Sequence, residues 1–149
     1  MNTIALPTPQ PIPPIAIFLT RWKALKDRMA QSGCPILPKP SLIGWCFTVS
    51  CFYRSQAAQA KLYAKGRTTR GRIVTYARPG DSPHNFRLAK DLVLRHNGKV
   101  ITDTSREQWG TLCVSARKAG LDTGLHWRAL HDPGHVELID WKSYLEVHP

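Results

Sequence analysis

A chain of 149 residues with 42% hydrophobic content is long enough for one domain to bury a real core and gives no reason to expect a second. Its 21 Lys and Arg against 10 Asp and Glu leave a formal charge of +11, which favours anionic surroundings such as nucleic acid, anionic lipid or acidic cell-wall polymer without choosing among them. No apolar run approaches the length that crosses a bilayer, so stable membrane insertion is not expected.

Residues 1–14 hold five of the 12 prolines and read as an extended N-terminal arm, followed by a single domain over residues 15–149. The apolar run at residues 15–19 is too short for a signal-peptide core and has no basic residue before it. Synthesis in the cytoplasm is the expectation. Ile15, Phe18, Leu19, Trp22, Leu25 and Met29 then recur at helical spacing, with Arg21, Lys23, Lys26 and Arg28 between them and Gly33 and Pro35 closing the segment. This predicts an amphipathic helix whose apolar stripe packs on a core and whose basic face is solvated.

Prolines 35, 38 and 40 break the chain before an aromatic and β-branched run at residues 45–52, which reads as a buried strand. Residues 55–65 are rich in helix formers and stop at Gly66. A basic loop follows, then a short strand at residues 72–76 and a turn at residues 78–81. Residues 88–95 and 99–102 flank Asn97-Gly98, a strong hairpin signal. Residues 105–119 predict a helix with Ser105 as N-cap and Trp109, Leu112, Cys113 and Ala116 on one face, ended by Gly120. After a turn at Asp132, a final strand is expected over residues 135–140. Helices mixed with antiparallel strands point to an α+β fold, a small antiparallel sheet with helices packed on it.

Chemistry concentrates in two short stretches. His84 and Asp91 lie seven residues apart, and Asp132 precedes His135 by three. Two histidines and a carboxylate suffice as protein ligands for a hydrolytic zinc with one position left open. His84, Asp91 and His135 are therefore the candidate ligands of Zn²⁺. Asp132, on a tight turn, is the candidate base that would take a proton from water on the metal. Alternation along a strand would put His135 and Glu137 on one face and send Lys90 to the face opposite Asp91. His96, His126, His131 and His148 have no such pattern and read as surface or satisfied groups. Cys34, Cys46, Cys51 and Cys113 show no metal-knuckle spacing and are expected to be free thiols.

Ser82-x-His84 followed by Asp91, and then Asp132-x-x-His135, resembles the family of zinc D-alanyl-D-alanine carboxypeptidases and L-alanyl-D-glutamate endopeptidases, which includes phage endolysins. The resemblance extends upstream through Tyr53-Arg54-Ser55, Gln59, Leu62-Tyr63-Ala64 and Gly66-Arg67-Thr68, and downstream through Gly120-Leu121 and Trp127. It covers roughly residues 45–140. It implies a fold of the kind shared by hedgehog domains and D-alanyl-D-alanine peptidases. It also implies Arg54 as a catalytic arginine holding a substrate carboxylate or stabilising an oxyanion, and Ser82 as a substrate-contacting position; Arg87, read from its own charge, is expected to point away from the metal into a basic rim that attracts substrate carboxylates. The implied activity is hydrolysis of peptidoglycan stem peptides, at the L-alanyl-D-glutamate bond or, alternatively, at D-alanyl-D-alanine. The implied setting is a monomer acting on the cell wall after holin-type release, with no nucleic-acid partner. The sequence departs from the family at Arg87, where glycine is usual, at Lys90, and at Gly134-His135-Val136, which replaces a proline-histidine-aromatic run. A rival reading takes the chain as a non-catalytic basic module, because ten of its Lys and Arg against two Asp fall within residues 54–95.

Overall fold

The computed structural model describes residues 12–146. Most of the proline-rich arm, residues 1–11, and His148 lie outside the described residues. Helix α1, Pro14–Gln31, begins with proline in its first turn, where the missing N–H would have had no partner anyway. It buries Phe18, Trp22, Leu25 and Met29, the stripe read from the spacing. Two-residue β1, Ile36–Leu37, pairs parallel with β2, Trp45–Cys51. Helix α2, Gln56–Ala64, is capped by the Ser55 hydroxyl, which accepts from the Ala58 N–H at 3.1 Å.

The remaining strands are β3, Ala89–His96; β4, Lys99–Val100; β5, Leu121–Gly124; and β6, Asp132–Leu138. They assemble in the order β1-β2-β3-β6-β5, with β4 also on β3, and every pairing except β1 with β2 is antiparallel. Asn97 and Gly98 turn β3 into β4 with φ of 50° and 77°, the double positive φ that an Asn-Gly hairpin supplies at low cost. Helix α3, Glu107–Lys118, buries Trp109, Leu112, Cys113 and Ala116, and a short α4, Trp141–Glu146, closes the described chain.

The sheet has two unlike faces. Leu92, Leu94, Val136 and Leu138 join α1 and α3 in one apolar core with Phe47, Leu112 and Leu121. Lys90 shares that face, its Nζ 4.4 Å from the ring centroids of both Trp22 and Phe52, so its charge is held over aromatic faces. Asp91, His135 and Glu137 point the other way, as strand alternation requires.

Three local expectations are corrected. Residues 72–76 form no strand. Their β-branched composition is strand-like, but their hydrogen bonds go to side chains, the Thr75 carbonyl accepting from Arg67 and the Ala77 carbonyl from Gln59. Ser105 is not the cap of α3: its N–H and hydroxyl are both taken by the Asp103 carboxylate, and the helix starts two residues later. β6 begins at Asp132 itself, so that aspartate sits on an irregular strand end rather than in a turn before the strand. β5 and α4 had no expectation in the sequence. Gly134 shows why a small residue stands before His135: a Cβ there would collide with the Leu92 carbonyl across the sheet.

Candidate active site

Strand pairing builds the site. Asp91 on β3 lies directly opposite His135 on β6 and opposite Cys51 on β2, where a bulge after Val49 resets the register. His84 arrives from a 3₁₀ turn, Pro83–Phe86, that a reciprocal Ser82 and Asn85 capping box starts and Arg87 ends. Asn85 fastens this turn, donating to the Arg54 carbonyl at 2.7 Å and accepting from the Gly80 N–H at 3.0 Å. Arg87 has φ 60° and ψ 32°, the left-handed conformation that glycine adopts most cheaply. The glycine usual at this position in the resemblance thus has a backbone reason, and here arginine bears the strain.

Three atoms converge. His84 Nε2 lies 2.9 Å from Asp91 Oδ1 and 3.3 Å from His135 Nδ1, and His135 Nδ1 lies 3.0 Å from Asp91 Oδ1. With metal bonds of about 2.0–2.1 Å, adjacent ligands on a tetrahedron stand roughly 3.3 Å apart, so this triangle is close to the size a zinc ion needs. The far sides of both rings are engaged as well. His84 Nδ1 faces the Phe52 carbonyl at 3.2 Å, and His135 Nε2 faces Glu137 Oε2 at 2.8 Å. If each far nitrogen carries the proton and donates outward, both inner nitrogens present lone pairs to a carboxylate oxygen, an arrangement that calls for a cation between them.

Electrostatics agree. Burial pushes the Asp91 carboxyl up, but hydrogen bonds from His135 and His84 and their charge outweigh it and hold the group well below the usual carboxylate range. Burial pushes His135 down, yet its bonds to Asp91 and Glu137 and their two charges raise it to about 9. A proton and a metal ion are therefore alternatives at His135 Nδ1. Asp132 is raised, first by burial and then by the nearby Asp91 charge, with His135 and the Gly134 and His135 amides opposing. A carboxylate lifted this way is a better base near neutrality than a free aspartate.

Asp132, Asp91 and His135 offer ligand atoms within 4.8 Å of one another, and so do Cys51, His84 and Asp91. The former set puts Asp132 beside the triangle. Arg54 donates through Nη2 to Asp91 Oδ2 at 3.0 Å and through Nη1 to Gln59 Oε1 at 3.0 Å. Ser82 lines the adjoining cavity of about 770 Å³, together with Arg54, Asp132, Tyr76, Trp127 and Trp141. Arg87 is not in that lining; its guanidinium carbon stacks 4.2 Å from the Tyr53 ring centroid. His96 stacks on Trp45 at the far end of β3, and His126 and His131 are exposed.

Sequence reasoning gave no role at the site to two neighbours. Cys51 lies 3.8 Å from His84 Nδ1 and 3.6 Å from Arg54 Nη2, placed by a bulge that leaves no mark in composition. Gln59 is fully buried, and it stood in the sequence only as one of the residues that carry the resemblance. All four cysteines are free, and burial pushes the Cys34 thiol up to about 12.

A six-stranded sheet with α1 and α3 on one face, and on the other two histidines and an aspartate beside a carboxylate of raised pKa, defines a hydrolase of the metallopeptidase class. The chain is 31% identical over 142 residues to the peptidoglycan L-alanyl-D-glutamate endopeptidase CwlK of Bacillus subtilis, covering 90% of this chain and 77% of that one. It belongs to that family of peptidoglycan peptidases. Its fold is shared with the L-Ala D-Glu endopeptidase ChiX of Serratia marcescens, with a TM-score of 0.55 at 19% identity, covering 85% of this chain and 80% of that chain. The fold is shared too with DacB of Streptococcus pneumoniae D39, with a TM-score of 0.54 at 22% identity, covering 89% of this chain and 69% of that chain. No family model matches the sequence.

Proposed function

We propose that this peptidoglycan peptidase is zinc-dependent and cuts the bond between L-alanine and D-glutamate in stem peptides, acting as a monomer whose single domain spans residues 15–149. The observation that carries the reading is the triangle of His84 Nε2, Asp91 Oδ1 and His135 Nδ1, with edges of 2.9, 3.0 and 3.3 Å. Those three residues would hold the ion. When bound, zinc supplies Lewis acidity toward a peptide carbonyl oxygen and toward water. Glu137, by accepting from His135 Nε2, keeps the lone pair at Nδ1.

Asp132 is the proton carrier in this reading. Its raised pKa suits it to take a proton from the attacking water on a carboxylate oxygen and deliver it to the nitrogen of the leaving D-glutamate. Arg54 holds Asp91 in place and turns its guanidinium to the cavity, where it stabilises negative charge on the carbonyl oxygen as the water adds. Ser82 is a substrate contact from the cavity wall. The choice of L-alanyl-D-glutamate over other stem-peptide bonds rests on the similarity to CwlK.

Digestion of purified murein followed by mass spectrometry tests the reading. The expected products carry new C-terminal L-alanine and new N-terminal D-glutamate, and the activity disappears with a chelator and returns with zinc. Cleavage at D-alanyl-D-alanine would refute the bond assignment. Activity that survives exhaustive chelation would refute the zinc.

A further inference from the structure

Residues 55–80 carry Lys61, Lys65, Arg67, Arg70, Arg72 and Arg78 and no Asp or Glu. All six cations are exposed, and none takes part in an ion pair among the described residues. Concentrated like charge of this kind opposes folding through self-repulsion.

The segment is also fixed in shape. Gly66 has φ +71°, and a Cβ on it would come within 2.6 Å of the Ile73 nitrogen, so the loop closes tightly on itself. Arg67 straps the loop, stacking 3.8 Å from the Tyr63 ring centroid and donating to the Thr75 carbonyl at 3.1 Å. Buried Gln59 donates to the Ala77 carbonyl at 2.8 Å. Leu62, Val74, Thr75, Tyr76 and Ala77 from this segment form one wall of the active-site cavity. The segment that builds this fixed wall therefore carries six exposed cations, none paired with a carboxylate among the described residues.

We infer that this wall binds the assembled, polymeric form of the substrate: the carboxylates of stem peptides neighbouring the one being cut. The inference rests on the function proposed above and adds to it the form of the substrate. A free stem peptide cut before D-glutamate offers only a few carboxylates, most of them near the scissile bond, where Arg54 and Lys142 already line the cavity. Six further cations on the segment that builds this wall match a ligand with repeated negative charge.

The test compares kcat/KM on insoluble sacculi with kcat/KM on a soluble stem peptide of the same sequence. For the wild type, the polymer-to-peptide ratio falls roughly tenfold as salt rises from low concentration past about 0.15 M, where the Debye length is about 8 Å. Lys61→Gln, Lys65→Gln and Arg70→Gln combined lower that ratio about tenfold at low salt and flatten its salt dependence. Arg28→Gln, Lys99→Gln and Lys118→Gln combined remove the same charge elsewhere and leave the ratio unchanged. An unchanged ratio in the wall variant, or an equal fall in the control variant, overturns the inference. So does a wall variant that loses duplex DNA binding while its ratio holds, since the wall would then serve nucleic acid. Co-sedimentation of Asp132→Asn protein with sacculi reads the wall without turnover. Sedimentation that needs Lys61, Lys65 and Arg70 supports the inference even where the proposed bond specificity fails, and sedimentation indifferent to them overturns it.

Discussion

Glu137→Gln separates two effects of one hydrogen bond. Glu137 Oε2 stands 2.8 Å from His135 Nε2, while His135 Nδ1 faces Asp91 at 3.0 Å. With carboxylates on both sides, His135 is raised to about 9. Zinc needs the lone pair at Nδ1, so below that pH it must displace a proton. At pH 7 the displacement spans about two pH units, or roughly a hundredfold in apparent affinity. Zinc affinity of the wild type should therefore climb about tenfold per pH unit from 7 and level off near 9. Replacing Glu137 by Gln removes a charge that favours the proton, which eases the competition, and it also loosens the ring, which weakens zinc binding by about 10–100-fold. The two effects oppose each other at pH 7 and only the loss remains above pH 9. Competition with a chromogenic chelator across pH 6–10 measures both. A wild-type affinity flat between pH 7 and 9, or an equal loss in the variant at every pH, would refute the reasoning.

Asp132→Asn should keep the fold and the zinc stoichiometry and lower kcat by about 10²–10⁴, because an amide cannot accept the proton of water; full activity in a coupled muropeptide assay would sink Asp132 as the base. Gly134→Ala should destabilise the chain by about 1–3 kcal/mol in urea unfolding, since the new Cβ meets the Leu92 carbonyl. The zinc-free chain should lose stability in alkali. His135 is raised in the folded state, so its contribution is complete below the unfolded value of about 6.5 and disappears as pH rises through about 9, and thermal melts in chelator should show the fall in that window. Arg87→Ala should cost about 1 kcal/mol, because it keeps the left-handed strain and loses the stack on Tyr53, whereas Arg87→Gly removes the strain and should recover most of that loss. Equal melting temperatures for the two variants would mean the backbone there carries no strain.

Most periodic signals in the sequence survived into the structure, while two read from local chemistry, the Ser105 cap and the Asp132 turn, did not. The α1 stripe, the Asn97-Gly98 hairpin and the opposite orientations of Lys90 and Asp91 are local consequences of 3.6-residue and two-residue repeats and of turn chemistry. The meeting of His84, Asp91 and His135 was expected from residue types and order, and it depends on strand register, which no local pattern carries. Residues 72–76 misled because Val74, Thr75 and Tyr76 have strand composition but no strand beside them. β5, only Leu121–Gly124, is too short to show alternation and gains its place by pairing with β6. Cys51 was hidden for a related reason: a one-residue bulge decides which side chain of β2 faces Asp91.

The site also explains why a fully buried glutamine is tolerated 5 residues after Arg54. Gln59 has four hydrogen-bonding positions, and an unpaired amide in that place would cost on the order of 1–3 kcal/mol. It is paired on both ends: Oε1 accepts from Arg54, and Nε2 donates to the Ala77 carbonyl and, at 3.4 Å, meets the Thr75 hydroxyl. Arg54 in turn donates to Asp91, so a continuous chain of hydrogen bonds runs from the cavity wall through α2 to the carboxylate opposite His135. The loop at residues 65–82 has no strand partner to set its position, and this chain does that work instead, tying the wall that faces substrate to the group that faces the metal position. A nonpolar residue at 59 would leave the Arg54 guanidinium and the Ala77 carbonyl each short of a partner, so the wall and Asp91 would loosen together rather than independently.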